Sequence, residues 1–412
     1  MGVGIEAIHA YGGQTTFDVR ALFEARALNL DRFENLAMKK KAVGLPCEDP
    51  VTHAVNAAKP ILMQLDEAER KRVELVISAS ESGIDFGKSI AAYAHHYLDL
   101  GRNCRLFEVK QACYAGTAAL QMAASFVSSG ASPGAKALVI ATDVAAEQHQ
   151  EDNYAEPSMG TGAVAILVSD RPSIFELDMG ANGFCSYEVM DTCRPVVGRE
   201  LGDADLSLMS YIDCLGGAFE NYAERVEGAD YVSTFDYLAF HTPFAGLVRG
   251  AHRKMMRKLK RASPDEIEED FARRVAPSLK YCVEVGNVYS ATVWLALCGV
   301  IAQAKAGKRH RVGMFSYGSG CSSEFFSGVV QSDAGERFAK LGLDAALSRR
   351  YELSFSEYER LLELNSEWGF GVRDKQVDLA SFGAIYERQL RGKGLLMLQR
   401  VSNYHREYAF SS

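Results

Sequence analysis

The sequence predicts an α/β fold, because short apolar segments of strand length alternate with longer stretches of helical character. Strands are predicted at Val73–Ser78, Cys104–Val109, Ala137–Ala141, Ala163–Val168, Tyr237–Phe240 and Arg311–Phe315. Helices are predicted at Gly116–Val127, Leu247–Leu259 and Ala291–Ala304. With 412 residues, the chain is long enough for two core-sized units or for one large duplicated fold.

Three further segments complete this prediction. Residues 171–230 are rich in Asp, Gly and Cys, and we expect an irregular excursion that covers a site or forms an interface. Towards the C-terminus the sequence predicts a helix over Leu347–Leu364 and a strand over Gly394–Val401. No linker rich in Pro, Gly or Ser separates two halves, so we expect the halves to pack tightly together.

The composition excludes several classes of function. The chain is 48% hydrophobic and 24% charged, as in ordinary globular proteins, and no apolar run approaches the roughly 18–20 residues that span a bilayer. Its net charge of −8 argues against general nucleic-acid binding. The nine cysteines show no CxxC pair, and no spacing resembles a set of metal ligands. We therefore expect a cytoplasmic protein without a metal site.

Cys113 is the first candidate for chemistry. A predicted strand leads into a turn rich in Ala and Gly, and a predicted helix follows directly. This arrangement places the sulfur at a helix N-terminus, where free N–H groups and the helix dipole favour a thiolate. A lone cysteine is more often a small buried hydrophobic residue. The turn before the helix is the reason to interpret Cys113 as a reactive thiol.

Glu81 and His241 also follow predicted strands. Glu81 lies among small residues in Ser78–Gly83, where partial burial would raise the pKa of its carboxylate towards that of a general base. His241 is held at a strand end by the turn at Pro243. Considered alone, Glu81 could be an ordinary acid near a helix N-terminus. His241 could likewise be a core histidine with its hydrogen bonds satisfied. Three candidates at three strand ends favour a common site.

Two glycine-rich turns and a basic stripe are less specific. Gly286-Asn287 and Tyr317–Gly320 could each direct backbone N–H groups at a carbonyl as an oxyanion hole. Arg249, Arg253, Arg257 and Arg261 recur at every fourth position, which lines one face of a helix. A solvated helix face is one interpretation of this stripe, and a docking surface for an anionic partner is the other.

Together, these motifs resemble the 3-hydroxy-3-methylglutaryl (HMG) synthase family of the thiolase fold. The shared motifs are Ser-Glu-Ser-Gly from Ser80, Cys-Tyr-Ala-Gly-Thr-Ala-Ala from Cys113, Glu-Pro-Ser-Met-Gly-Thr-Gly-Ala-Val-Ala from Glu156, Phe-His-Thr-Pro-Phe from Phe240, Gly-Asn-Val-Tyr from Gly286 and Phe-Ser-Tyr-Gly-Ser-Gly from Phe315. The resemblance implies a duplicated αβαβα layered fold with an N-terminal half at 1–170. The C-terminal half is expected at 171–412, with 171–230 as an inserted segment.

The resemblance also implies roles for individual residues. Cys113 would take an acetyl group from a donor thioester, and Glu81 would remove a proton from the acetyl methyl. His241, with Asn287 beside it, would polarise the ketone of a β-ketoacyl acceptor. Further substrate contacts are expected at Tyr154, Gly318 and Ser319, the backbone amides of Cys113 and Ser319 cradling the acetyl oxygen. The family implies no bound cofactor and a homodimer.

A narrower resemblance points to the β-branching synthases of polyketide assembly lines, which act on acyl carrier proteins. Glu81–Lys88 and Asn103–Tyr114 are similar to that group, and Gly246 and Gly250 stand where coenzyme A enzymes tend to carry lysines. The resemblance implies a donor and an acceptor carrier protein, with substrates on phosphopantetheine. Predicted contacts to the carrier or its arm are Arg32, Ser207, Arg249, Arg253 and Arg257. The alternatives are a coenzyme A synthase of primary metabolism and a non-catalytic docking protein.

Overall fold

The computed structural model describes residues 2–144, 155–196 and 199–412. Its strands are β1 (Gly4–Tyr11), β2 (Thr15–Asp18), β3 (Lys40–Val43), β4 (Val73–Ala79), β5 (Arg105–Val109), β6 (Lys136–Val144), β7 (Thr161–Ser169), β8 (Phe175–Ser186), β9 (Thr192–Val196), β10 (Arg199–Gly202), β11 (Tyr237–Phe240), β12 (His310–Gly318), β13 (Ser322–Val330), β14 (Tyr351–Glu352), β15 (Lys375–Gln376), β16 (Leu396–Ser402) and β17 (His405–Phe410).

The helices of the described residues connect and cover these strands. They are α1 (Val19–Ala25), α2 (Leu30–Leu36), α3 (Pro50–Leu62), α4 (Glu67–Arg70), α5 (Ile90–Tyr97), α6 (Ala115–Ser128), α7 (Ala204–Arg225), α8 (Ala245–Lys260), α9 (Pro264–Asp270), α10 (Leu279–Val285), α11 (Thr292–Gln303), α12 (Ala334–Ala339), α13 (Leu343–Ser348), α14 (Phe355–Ser366) and α15 (Gly383–Gln389). None of the helices that the structure describes is both long and apolar enough to cross a membrane.

The central sheet contains the same pattern of four strands twice, and β5 extends one of the two sets by a fifth strand. Its order is β11-β12-β13-β8-β1-β7-β6-β4-β5. Strands β1, β7 and β6 are successively antiparallel, and β4 and β5 continue parallel to β6. Strands β8, β13 and β12 are likewise successively antiparallel, and β11 continues parallel to β12. The two sets join where β1 pairs with β8. This repeat agrees with the predicted duplicated fold.

Two buried helices meet at the centre of the molecule. Helix α11 is buried from Thr292 to Ile301, and α6 shares one hydrophobic core with it. A Cβ on Gly116 of α6 would lie 2.3 Å from the carbonyl oxygen of Ser290 and 2.8 Å from Nε1 of Trp294. The glycine therefore lets the N-terminal end of α6 contact the N-terminal end of α11. This contact brings the turns that precede both helices together.

Most predicted elements are present, with ends shifted by a few residues. The strand predicted at Tyr237–Phe240 coincides with β11, and the helix predicted at Gly116–Val127 is α6. The prediction of one helix over Leu347–Leu364 is wrong. Helix α13 ends at Ser348, and β14 then pairs in parallel with β2 before α14 begins at a capping box formed by Ser354 and Glu357. The pairing with β2 interrupts the helix.

The segment 171–230 is more regular than the sequence suggests. It contains β8, which lies inside the central sheet, and α7, a helix of 22 residues. A Cβ on Gly183 of β8 would lie 2.1 Å from the backbone N of Tyr222 in α7. Glycine is needed here because the helix backbone packs directly on the strand. Gly183 is therefore a packing position inside regular structure, although the sequence pattern suggested an irregular segment.

Candidate active site

Cys113 lies in a sharp turn between β5 and α6. The turn starts beyond Val109, and the backbone N of Tyr114 donates a hydrogen bond to the carbonyl oxygen of Gln111 at 3.0 Å. Ala112 adopts a φ of +43°, which is unusual for a residue with a Cβ and lets the chain reverse within so few residues. Cys113 is 8% exposed and stands directly before the first turn of α6. The predicted position at a helix N-terminus is thus observed.

Glu81 lies within contact distance of this cysteine. Strand β4 ends at Ala79, and the following turn directs Oε1 of Glu81 to 3.6 Å from Sγ of Cys113. The parallel strands β4 and β5 are neighbours, so their carboxyl ends lie at the same edge of the sheet. The structure therefore brings together a thiol and a carboxylate that are 32 residues apart in the chain.

Asp143 anchors the turn that carries Glu81. Its Oδ1 accepts hydrogen bonds from the backbone N of Glu81 at 2.8 Å, from the backbone N and Oγ of Ser82 at 3.0 and 2.9 Å, and from Oγ of Ser80 at 3.0 Å. Its Oδ2 accepts from the backbone N and Oγ of Ser290 at 3.1 and 2.5 Å. Through these hydrogen bonds, the buried carboxylate of Asp143 fixes the turn that carries Glu81. Asp143 was not predicted as a site residue, although it follows the apolar run Ala137–Ala141 as Glu81 follows Val73–Ser78.

His241 follows β11 at the matching position of the second half. Its backbone N donates to the carbonyl oxygen of Phe315 at 2.8 Å, and its carbonyl oxygen accepts from Oη of Tyr211 at 2.7 Å. Burial lowers the pKa of His241 to about 3, so the imidazole is neutral at physiological pH. Among the described residues, nothing forms a hydrogen bond with Nδ1 of His241. The backbone of His241 is thus held in place at both its N–H and its carbonyl oxygen.

The end of β12 lies against the turn of Cys113. A Cβ on Gly318 would come within 2.6 Å of both the carbonyl oxygen of Gln111 and the backbone N of Tyr114. Only glycine permits this approach, and it places the backbone of Ser319 beside the nucleophile. Because β11 pairs in parallel with β12, His241 follows at the same edge of the sheet. The oxyanion hole at this turn stays a prediction.

Asp191 holds the same turn from the other side. This buried residue accepts hydrogen bonds from Oη of Tyr317 and from the backbone N of Gly320, both at 2.8 Å. The carbonyl oxygen of Asp191 accepts a bond from Oγ of Ser207 at 3.4 Å, which places the half-buried Ser207 near the candidate site. Part of the 171–230 segment therefore lies beside the candidate site.

Asn287 joins two of the predicted motifs. Its backbone N donates to the carbonyl oxygen of Ser158 at 2.7 Å, and its carbonyl oxygen accepts from the backbone N of Gly160 at 2.9 Å. Its Oδ1 accepts from the backbone N of Tyr289 and from Oγ1 of Thr292. Asn287 therefore fixes the run from Glu156 against the turn before α11. Tyr154, which precedes this run, lies outside the described residues.

The predicted carrier contacts lie on exposed helices. Arg32 is exposed on α2, which packs against α8, and α8 carries Arg249, Arg253 and Arg257 on its exposed face. Arg249 forms an ion pair with Glu268 of α9 at 2.5 Å. In the described part of the chain, Arg253 and Arg257 have no carboxylate within 4.0 Å. The stripe is therefore partly neutralised at its N-terminal end.

The chain matches known families over most of its length. Residues 27–172 match the family described as hydroxymethylglutaryl-coenzyme A synthase N terminal, and residues 255–410 match hydroxymethylglutaryl-coenzyme A synthase C terminal. The chain belongs to the HMG synthase family. The family resemblance stated from the sequence is confirmed, and so is the predicted enzyme class, an acyltransferase that forms a carbon–carbon bond.

Individual relatives show which group of HMG synthases this chain resembles. It is 52% identical to the polyketide biosynthesis 3-hydroxy-3-methylglutaryl-ACP synthase PksG of Bacillus subtilis, over 100% of both chains. It is 33% identical to the hydroxymethylglutaryl-CoA synthase of Enterococcus faecalis, over 88% of this HMG synthase and 91% of the relative. The narrower resemblance to the polyketide group is therefore confirmed.

Solved structures support the same grouping. The crystal structure of the curacin biosynthetic pathway HMG synthase in complex with acetyl donor-ACP has a TM-score of 0.97 to this HMG synthase, with 54% identity and 100% of both chains covered. A structure of the enzyme MvaS in complex with 3-hydroxy-3-methylglutaryl coenzyme A has a TM-score of 0.86 at 32% identity, covering 100% of this chain and 99% of MvaS. The predicted thiolase-like α/β fold is confirmed by these similarities.

Proposed function

We propose that this chain is a carrier-protein-dependent HMG synthase of a polyketide pathway. It takes an acetyl group from an acetyl-acyl carrier protein and condenses it with a β-ketoacyl chain on a second carrier protein, which creates a β-branch. The observation that carries the proposal is the 3.6 Å contact between Sγ of Cys113 and Oε1 of Glu81 at the N-terminus of α6. The similarity to the two polyketide HMG synthases over their full length supports the choice of carrier.

The first step loads the acetyl group. The thiolate of Cys113 attacks the thioester carbonyl of the donor, and the phosphopantetheine thiol leaves with a proton. The N-terminus of α6 favours the thiolate, because the aligned peptide dipoles of the helix place a partial positive charge at this end. The backbone amides of Cys113 and Ser319 stabilise the oxyanion, since Gly318 brings β12 against the turn.

The second step forms the nucleophile. The carboxylate of Glu81 removes a proton from the methyl group of the acetyl thioester, and the electron pair moves into the enolate. Asp143 fixes the turn around Glu81. Little conformational entropy is therefore lost when the carboxylate contacts the acetyl group. A thioester acidifies its α-carbon, which lets a carboxylate serve as the base when water is excluded.

The third step forms the carbon–carbon bond. The enolate carbon attacks the ketone carbon of the acceptor, and a proton ends on the new alcohol oxygen. His241 polarises the ketone as a neutral hydrogen-bonding group, because burial lowers its pKa to about 3. The imidazole ring of His241 makes this contact, and Asn287, which is 8% exposed, is proposed to lie beside it. Water then hydrolyses the bond to Cys113 and releases the branched product on its carrier.

A basic surface would receive the acidic carrier protein. Arg253 and Arg257 are exposed on α8, which begins four residues after His241, and Arg32 and Ser207 would contact the phosphopantetheine arm. A Cβ on Gly246 would lie 1.7 Å from the carbonyl oxygen of Asn35. Helix α2 therefore excludes any side chain at a position where coenzyme A enzymes tend to carry a lysine. This exclusion supports a carrier protein over coenzyme A as the donor.

The chain is further proposed to act in the cytoplasm as a homodimer. All nine cysteines are free, which suits a reducing compartment. Strand β5 is an outer strand of the central sheet, and the residues of Arg105–Val109 keep partial exposure. An outer strand with free backbone groups suits pairing with a second copy of the same strand.

The test is acetyl labelling of the protein. Intact-mass measurement after incubation with acetyl-acyl carrier protein should show one acetyl group on the parent enzyme and none on Cys113→Ser. Cys298→Ser, a change to a buried cysteine on α11, should label like the parent. Labelling of Cys113→Ser would refute the nucleophile, and equal labelling rates from acetyl-coenzyme A would favour a synthase of primary metabolism.

A further inference from the structure

Arg194 lies against the proposed base from a strand outside the central sheet. Its Nη1 donates a hydrogen bond to the carbonyl oxygen of Glu81 at 3.2 Å and lies 3.7 Å from Oε2 of the same residue. Its Cζ lies 4.6 Å from the ring centroid of Tyr289. The side chains of Arg194 and Glu81 are only 23% and 16% exposed. The guanidinium is thus held between the Glu81 turn and the turn before α11.

The backbone near Arg194 is anchored to the oxyanion turn. Arg194 is the third residue of β9, which follows the buried Asp191 directly. Asp191 accepts hydrogen bonds from Oη of Tyr317 and the backbone N of Gly320, and its carbonyl oxygen accepts from the backbone N of Asp203 at 2.9 Å. The position of the guanidinium therefore depends on the same turn that carries Ser319.

The two oxygens of the Glu81 carboxylate face different groups. Oε1 lies 3.6 Å from Sγ of Cys113, and Oε2 lies 3.7 Å from Nη1 of Arg194. A cation on one oxygen leaves the other oxygen directed at the nucleophile and at any acyl group bound to it. A cation at this distance also favours the ionised carboxylate, which is the form that can accept a proton.

We propose that Arg194 is a positioning residue for Glu81, which keeps the carboxylate ionised and directed at the acetyl group on Cys113 while the enolate forms. The inference rests on the proposed role of Glu81 as the general base. Arg194 acts through Glu81 and through the orientation of its oxygens. The guanidinium has five donors, and its Nη1 alone reaches both the carbonyl oxygen and the carboxylate of Glu81.

Other ionisable groups of the described residues surround the same turn and oppose Arg194. A buried carboxylate favours protonation of its neighbours, because two like charges repel each other in a poorly solvated site. The acidic groups brought to this turn are Asp85 from the turn itself, Glu108 from β5, Cys113 from the turn before α6 and Asp143 from β6. Arg194 is a cation that offsets them on the Oε2 side.

The test separates enolate formation from acetyl loading. Acetylated enzyme is placed in D2O, and mass spectrometry follows deuterium entering the acetyl methyl across a range of pH. The exchange rate should fall at acidic pH as the carboxylate of Glu81 becomes protonated. In Arg194→Gln this acidic limb of the profile should lie about one pH unit higher, since an adjacent cation lowers a carboxylate pKa by about that much. Arg194→Lys should recover most of the shift. Arg171→Gln, a change to an arginine with a 72% exposed side chain, should behave like the parent.

A double variant tests whether Arg194 acts through Glu81. In the parent background, Arg194→Gln should slow deuterium exchange of the acetyl methyl at neutral pH at least tenfold. In the Glu81→Gln background, the same change should have almost no effect. An unchanged acidic limb in both Arg194 variants, or an additive loss in the double variant, would overturn the inference. Failure of the parent to acquire acetyl on Cys113 would instead overturn the proposed function. The two failures are therefore distinguishable.

Discussion

Oγ of Ser290 donates a hydrogen bond to Oδ2 of Asp143 at 2.5 Å, although the two residues are 147 positions apart. The other oxygen of Asp143 holds the Glu81 turn. One buried carboxylate thus connects the turn before α11 with the turn after β4. The relative position of the proposed base and of the second half of the fold depends on this group.

Replacing Asp143 with Asn should weaken both the fold and the site. The amide keeps one acceptor oxygen and presents an NH2 group to donors that then lack a partner, which costs about 1–3 kcal/mol for each buried group left unsatisfied. We expect a lower free energy of unfolding in urea and at least tenfold slower deuterium exchange of the acetyl group. Asp213→Asn, on the exposed face of α7, is the control. Parent-like exchange in Asp143→Asn would contradict the anchoring role.

Gly318→Ala, which adds one methyl group, should lower the rate of acetyl loading more than it lowers the free energy of unfolding. The new Cβ would lie 2.6 Å from backbone atoms of Gln111 and Tyr114, so the end of β12 must move away from the nucleophile. Loss of an oxyanion donor typically lowers turnover by about 10²–10³-fold. Acetyl loading rates measure the effect, with Gly383→Ala as the control because nothing lies within 4 Å of a Cβ there. Equal loading by both variants would rule out an oxyanion role for this turn.

The three arginines on α8 should contribute unequally to the affinity for carrier protein. Arg253→Glu and Arg257→Glu should each weaken carrier affinity, with a larger effect at low salt, because neither arginine is neutralised in the described structure. Arg249→Glu should have a smaller effect, since Glu268 already pairs with this arginine. Calorimetric titration at two salt concentrations measures this difference. The stripe is a solvated face if the three reversals leave affinity unchanged.

Acid should destabilise the protein through two buried histidines. Burial lowers the pKa of His53 to about 3 and that of His241 to about 3, from 6.5. Between pH 6.5 and 3 the unfolded chain binds protons that the folded chain does not, so stability falls as pH falls, by at most about 1.4 kcal/mol per pH unit for each histidine.

This slope can be measured with a variant of His53, which lies outside the proposed catalytic set. His53→Gln should show a shallower decline of Tm between pH 6.5 and 5 than the parent. His96→Gln, a change to an exposed histidine on α5, should keep the parent slope. A parent-like slope in His53→Gln would show that His53 does not remain neutral in the folded protein.

The local features of the site could be predicted from the sequence. Cys113 was recognisable because a short strand, a turn of small residues and a helix follow one another within a few positions. Glu81 was recognisable for a similar reason, as a carboxylate that directly follows an apolar strand. Its 3.6 Å distance to Sγ of Cys113 was not, because it arises from the pairing of β4 with β5.

Other features depend on packing between distant segments. The helix predicted over Leu347–Leu364 is broken by a strand that pairs with β2, and a local pattern contains no information about that partner. The need for glycine at Gly246 arises from Asn35 of α2, and the arginine stripe is modified by an ion pair with Glu268. Each of these contacts joins elements that no sequence motif connects.

By itself, the sequence determined the α/β alternation, the nucleophile turn at Cys113 and the family to which the chain belongs, because these follow from short-range patterns and ordered motifs. The tertiary structure alone decided that Asp143 anchors Glu81 and that Arg194 lies against it. The physical reason is that charges and hydrogen-bond partners act over a few ångströms, and only the folded chain brings β4, β6 and the separate strand β9 within that range.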